Sequence, residues 1–376
     1  MDVVVTGIGL HSALGGLVHS WEGLLAGKSA IAPAQPFPEL PPRPLALLGA
    51  KPGGLAPRLE KTLADALLDA GLQPPLSDCG IAIGSSRGYQ KDLEQLAKNR
   101  TEADLSAFPH FLHSQLGASA ARQIGALGPV LSPMAACATG LWAIAQGFEL
   151  IKTGQCRRVV AGAIEAPVTP LSLIGFAKMG ALASEGAFPF SRDRDGLVLG
   201  EGAALLVLEE AELARRRGAK IYGQILGVGL SADACYHNKP DRGGKSAIRA
   251  IKKSCDRAGI SPQEIDYIHA HGTATILNDR HEAKIIQKLF PGGVPLSSTK
   301  GATGHTLGAS GALGAAFCLM ALQEQILPPC VGLRDLEFDL DVVRVARVAE
   351  VRRVLCLGFG FGGQNGAIVF GNGGCG

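Results

Sequence analysis

Two stretches half a chain apart repeat one another. "AGLQPPLSDCGIAIGS" runs from Ala70 to Ser85, "AGISPQEIDYIHAHGT" runs from Ala258 to Thr273, and they align without a gap. Ala70 and Ala258, Gly71 and Gly259, Pro74 and Pro262, Asp78 and Asp266, Ala82 and Ala270, and Gly84 and Gly272 are identical pairs. The offset is 188 residues (259 minus 71), half of a 376-residue chain. Each unit reads as a helix, a glycine stop, a proline-containing loop and a strand. "ATGLWAIA" after Cys137 resembles "ASGALGAA" from Ala309, each a small-residue helix start before an apolar helix, and "RRVVAGAIEA" resembles "RRVLCLGFGF". The expectation is two related βα halves, 1–214 and 215–376, joined near residues 210–220 and not independent domains.

The local pattern fixes the class. "DVVVTGIG" reads as a strand entering a glycine turn, and residues 58–70 as a helix stopped by Gly71. "CGIAIGSS", "RRVVAGAIEA" and "AALLVLEE" read as short buried strands. Alternation of this kind predicts an α/β fold with helices covering a sheet. A net charge of +3 without a dense Lys/Arg stripe leaves no nucleic-acid footprint. No segment approaches the roughly 20 apolar residues of a membrane span, and "MDVVVTGIG" has no basic leader of a signal peptide. The nine cysteines lack CxxC pairs and regular spacing, which argues against a zinc ribbon or disulfide scaffold and for a reducing cytoplasm. With 51 glycines and 5% aromatics, the core should pack on small side chains with backbones close together.

The chemistry lies where the two copies differ. His271 stands where the first copy has Ile83, and Cys137 where the second copy has Gly308. In "SPMAACATGLWAIAQGF", Cys137 sits among Ala135, Ala136, Ala138, Thr139 and Gly140, ahead of an apolar helical run. A helix N-terminus offers unpaired N–H groups and partial positive charge, and both favour the nucleophilic thiolate. Small neighbours let a substrate carbonyl reach the sulfur, and the N–H of Cys137 could help hold its oxyanion. Its thiolate fraction should therefore exceed that of Cys79, Cys156, Cys235, Cys255, Cys318, Cys330, Cys356 and Cys375. Those eight show no activating partner and read as small core residues.

"IHAHGTATILND" places His271 at a strand end, and "STKGATGHTLGASG" places His305 in a glycine-rich turn entering a helix. Strand ends and glycine turns are where α/β folds bind ligands. His269 and His271, with Asp279 and His281 following, could also suggest a metal site, but no further cluster completes one. Lys300 and Glu282 are candidate supporting charges or an ordinary surface pair. "GFGFGGQN", Gly358 to Asn365, is not a dinucleotide fingerprint. It reads as a glycine loop that approaches a ligand closely, with Phe359 or Phe361 as an apolar wall.

Together these segments resemble the β-ketoacyl-acyl carrier protein synthases, elongating condensing enzymes of the thiolase superfamily. The resemblance also rests on "VVVTGIG", "WEGLLAGKSAI", "AACATG" and "FPFSRDRDGLVLGEGAALLVLEE", and covers nearly the whole chain. It implies a duplicated thiolase-like fold in five αβαβα layers. The family's nucleophile falls on Cys137, its active-site histidines on His271 and His305, its buried lysine on Lys300 and the associated glutamate on Glu282. Its pantetheine-contacting threonines fall on Thr273 and Thr275. Its gating phenylalanine, whose N–H joins the oxyanion hole, falls on Phe359. The implied reaction is decarboxylative condensation of an acyl-enzyme thioester with malonyl-acyl carrier protein, giving a 3-oxoacyl thioester in fatty-acid or polyketide-type biosynthesis. No metal or redox cofactor is implied. The implied partners are an acyl carrier protein bearing malonyl and acyl groups, and a second subunit as a homodimer or a heterodimer with a paralogue.

Asn238 in "DACYHNKPD" departs from a threonine common near the pantetheine, Pro133 and Met134 form an uncommon lead-in to the cysteine, and the chain is short for the family. Rival readings are a non-condensing partner subunit, which usually lacks the cysteine, and a coenzyme A thiolase, which needs a second cysteine in the C-terminal glycine loop. A metal hydrolase is the third.

Overall fold

The computed structural model describes residues 1–99, 105–235, 240–241 and 243–373. Ten strands carry the fold: β1 (Val3–Ser12), β2 (Cys79–Gly84), β3 (Val130–Leu131), β4 (Arg158–Glu165) and β5 (Gly202–Glu210), then β6 (Gly223–Ala232), β7 (Tyr267–His269), β8 (Leu296–Ser297), β9 (Arg353–Gly360) and β10 (Gln364–Gly371). Their hydrogen-bonded order is β8-β7-β9-β10-β6-β1-β5-β4-β2-β3. Read from either end the order is the same. β2 lies parallel between β3 and β4, and β7 parallel between β8 and β9, while every pairing nearer the centre is antiparallel.

The helices obey the same mirror. α1 (Leu55–Asp69) and α2 (Ser114–Ile124) cover the outer face of the first five strands, and α4 (Lys245–Ala258) and α5 (Ile276–Leu289) cover that of the second five. α3 (Thr139–Lys152) and α6 (Ser310–Glu324) lie between the two sets of strands, in one core with side chains from both. This gives the five layers of a thiolase-like αβαβα fold. Composition explains the sorting: α1 and α4 alternate charged and apolar faces, whereas α6 is buried without a break from Ser310 to Leu322. The one described helical stretch long and apolar enough to cross a membrane, Leu307–Glu324, is therefore this core helix, 89% buried. Glycines let the central pair approach: a Cβ on Gly140 would lie 2.5 Å from Ala312 N, and one on Gly311 2.7 Å from Leu141 Cγ.

The repeated segments fall on matching structure, since Gly71 (φ +63°) and Gly259 (φ +68°) both close a helix in the left-handed region. Two expectations need correction. β1 does not turn at "TGIG" but runs on to Ser12, its register shifting at Gly7. Its glycines serve close packing: a Cβ on Gly7 would meet Ala66 O at 2.5 Å and one on Gly9 would meet Thr62 O at 2.1 Å, both on α1. "GFGFGGQN" is not an open loop but the β9–β10 hairpin, turning at Phe361–Gly363. Asn238 and Cys375 lie outside the described residues.

Candidate active site

Cys137 sits in a single 3-10 turn, Ala136–Ala138, that runs into α3. Ala136 takes a left-handed φ of 47°. Thr139 holds that conformation, its Oγ1 donating to Ala136 O at 2.6 Å and accepting from Ala135 N at 2.9 Å. The end of β9 presses on the turn at Gly360, where a Cβ would lie 2.4 Å from Ala135 O and 3.2 Å from Cys137 N. The position before a helix is the one expected, but the thiol is not. Burial pushes it up to about 11; Lys300 and Arg87 oppose this, Glu165 reinforces it, and the Phe361 backbone N–H favours the anion. Desolvation outweighs the nearby positive charges, so the resting residue is a thiol, and the expected excess of thiolate is absent. Cys356 also departs from expectation: burial opposes its ionisation, yet Cys318 and His269 beside it pull it down to about 6. It is sealed in β9 and lines neither cavity described below.

β7 ends at His269, so His271 stands two residues beyond the strand, in a turn with Gly272 at φ +36° and Ala274 at φ +64°. Two buried charges grip that turn from opposite sides. Glu282 on α5 accepts from His271 N at 2.6 Å and Gly272 N at 2.7 Å, and the Lys300 ammonium donates to His271 O. They are not a surface pair: both are buried, and burial drives the Glu282 carboxyl up to about 7 and the Lys300 amine down. His305 is anchored through its backbone N–H, which donates to Val198 O, and through ring Nδ1, 2.9 Å from Ser310 Oγ at the start of α6. The His271 and His305 rings meet edge to face, 5.5 Å apart at 83°. Burial, then the Lys300 charge, lowers both well below 6.5, so both imidazoles are neutral at pH 7.

Cys137, His271 and His305 open together into a cavity of about 300 Å³. Thr273 and Thr275 also line it; their hydroxyls lie 2.9 Å apart, and Thr275 caps α5 by accepting from Asn278 N. Phe359 packs on His271, ring centres 5.7 Å apart. It is Phe361, two residues on, whose N–H favours the Cys137 anion and whose partly exposed ring leans on Phe176 at 6.2 Å. The N–H beside Cys137 is thus that of Phe361 and not, as expected, that of Phe359. Beyond Phe176 and Phe361 lies a second cavity of about 390 Å³, which Cys137 also reaches. Met134, 60% exposed, lines this second cavity, whereas Pro133 does not and packs against Gly84.

The sequence reading missed Glu165. Fully buried at the end of β4, it accepts from Ser85 Oγ, Ser86 N and Oγ, Arg87 N and Gly308 N, all within 3.1 Å. It clamps the turn after β2 much as Glu282 clamps the turn after β7. The duplication held the signal, since Ser85 aligns with Thr273. The residues of the metal alternative diverge. His269 Nε2 lies 3.2 Å from Thr299 Oγ1, and Asp279 accepts from Phe190 N. Among the described residues no group of three or more such side chains could hold a metal ion.

Two family models match: "Beta-ketoacyl synthase, N-terminal domain" over residues 59–214 and "Beta-ketoacyl synthase, C-terminal domain" over residues 222–334. A 3-oxoacyl-[acyl-carrier-protein] synthase 2 from Rhizobium meliloti (strain 1021) is 35% identical, with 98% of each chain covered. The ishigamide ketosynthase/chain length factor superposes with a TM-score of 0.92 at 29% identity, covering 99% of each chain. A type II polyketide acyl-carrier protein in complex with its ketosynthase bound to the hexaketide gives 0.91 at 28% identity, with the same coverage.

Proposed function

The chain belongs to the beta-ketoacyl synthase family, and on that footing we propose how its own residues carry out the condensation. The protein is an acyl-transferring condensing enzyme of fatty-acid or polyketide biosynthesis. Its partners are an acyl carrier protein and a second ketosynthase-type subunit, identical or a paralogue. The convergence of Cys137, His271 and His305 on one cavity is the observation that carries the residue assignment.

Cys137 Sγ bonds to the acyl carbon of a carrier thioester. The carrier's C–S bond breaks, and the thiol proton ends on the departing carrier sulfur. The N–H groups of Cys137 and Phe361 face the oxyanion of that step. Phe361, between the two cavities, acts as the gate in place of Phe359. Malonyl-carrier thioester then enters the cavity of His271 and His305, with its pantetheine against Thr273 and Thr275. Loss of carbon dioxide leaves an enolate oxygen, which the neutral histidines hold by N–H donation. We assign the Ser310 hydroxyl proton to His305 Nδ1, which leaves Nε2–H free for the enolate. Ser310 can in turn accept from Thr306 Oγ1, 3.1 Å away. The enolate carbon attacks the acyl-cysteine, its C–S bond breaks, and the sulfur takes up one proton, releasing a 3-oxoacyl thioester. Lys300 and Glu282 act as positioning residues for the His271 turn.

We divide the chain at 214/215, between the mirrored sets of strands. We place it in the cytoplasm, since all eight described cysteines are unpaired. Incubation with an acyl-carrier thioester followed by peptide mass spectrometry tests the reading. The acyl group should lie on Cys137, and Cys137→Ala should carry none and lose about 10⁴-fold or more in condensation. An acyl group elsewhere would overturn it.

A further inference from the structure

The second cavity holds a charged group that the condensation leaves unused. Arg87 lies in the turn after β2, and its backbone is fixed because Glu165 accepts from Arg87 N at 3.1 Å and from Ser86 N at 2.8 Å. Its guanidinium stacks over Phe176 at 5.3 Å. Among the described residues that guanidinium forms no ion pair and no hydrogen bond. Around it stand Ser86 and Gln364 and the apolar Met134, Ala136 and Leu307, with Cys137 opening into the same space.

An unsubstituted alkyl chain laid through this cavity would strip water from the guanidinium and return no acceptor, which is costly. A chain bearing an oxygen would supply a charge-assisted hydrogen bond instead. We propose that Arg87 selects acyl groups that carry an oxygen acceptor (carbonyl, hydroxyl or carboxylate) beyond the thioester, making it a specificity determinant of the acyl cavity. This rests on the reading that Cys137 carries the acyl group.

The test offers the full chain octanoyl, 3-hydroxyoctanoyl and suberyl thioesters of pantetheine and follows acylation of Cys137 by intact mass. One or both oxygenated chains should load about tenfold or more faster than octanoyl, and Arg87→Met should narrow the ratio to within about twofold. Preference for the hydroxyacyl chain assigns Arg87 to an in-chain oxygen, and preference for the suberyl chain assigns it to a terminal carboxylate. Octanoyl loading as fast as both oxygenated chains, or a preference that survives Arg87→Met, overturns the proposal. If the variant fails to fold, the wild-type ratio still decides. Failure of every thioester to acylate Cys137 would instead bring down the functional reading, and this proposal with it.

Discussion

The turn before α3 and the turn before α6 have the same shape and opposite uses. Each is a single 3-10 turn entered through a non-glycine residue in the left-handed region, Ala136 at φ 47° and Leu307 at φ 41°. Each feeds a buried helix of the central layer. In the first the next residue is Cys137, open to both cavities. In the second it is Gly308, whose N–H donates to Glu165 at 3.0 Å and whose missing Cβ would lie 2.6 Å from that carboxylate. One copy presents a thiol to both cavities, the proposed nucleophile. The other is closed on a buried acid that shapes the turn carrying Arg87. The histidines show the reverse asymmetry, since His271 replaces a core isoleucine of the first half. A duplicated fold thus builds one asymmetric site by letting each half keep what the other gave up.

The comparison breaks first at the histidines. His271→Ala and His305→Ala should each slow malonyl decarboxylation by about 10²–10³, with acyl loading surviving in part, because each removes one N–H aimed at the enolate. Carbon dioxide release and acyl-enzyme formation, measured separately, check this. Equal loss of both would mean a general-base or folding role.

At the paired turns the prediction concerns stability. Gly308→Ala forces a methyl against the Glu165 carboxylate and should cost about 2–3 kcal/mol. Cys137→Ala in the matching turn should cost no more than about 1 kcal/mol. Urea midpoints that fall equally would show that the two turns are not specialised as described.

A smaller effect separates the halves by pH. His271 and His305 are held neutral in the folded chain, well below 6.5, chiefly by burial. As pH falls below about 6.5 the unfolded chain takes up protons that the folded chain refuses. Stability should therefore drop by about 1.4 kcal/mol per pH unit for each histidine, and above that pH neither contributes. Denaturation curves at about pH 7 and pH 5.5 should show His305→Leu losing one such increment of slope. An unchanged slope would mean that His305 is charged when folded.

Much of this was legible in the sequence because the proposed reacting groups sit in short turns whose glycines and small residues are local requirements. Cys137, His271 and His305 could be picked out from their neighbours, and the duplication anticipated the mirrored layers. What depends on packing was not legible. The high pKa of Cys137 comes from burial where the end of β9 closes on its turn. The residues around Lys300 and Glu282 left supporting charges and an ordinary surface pair both open, because the peptide turn that both grip is visible only when folded. The shift from Phe359 to Phe361 follows from where β9 ends against the nucleophile turn. The glycines of "TGIG" pointed to a turn, whereas their partner is the α1 backbone. Glu165 lies in the strand segment "RRVVAGAIEA" and Arg87 directly follows "CGIAIGSS", but nothing local distinguishes either.

The central claim is that the cysteine of one half and the histidines of the other perform separable steps in one cavity. Cys137→Gln, assayed with malonyl-acyl carrier protein for carbon dioxide and for 3-oxoacyl product, tests it most directly. The glutamine cannot carry an acyl group but leaves both imidazoles in place, so carbon dioxide release should persist while the 3-oxoacyl product disappears. A variant that still condenses, or one that loses decarboxylation together with condensation, would contradict the account.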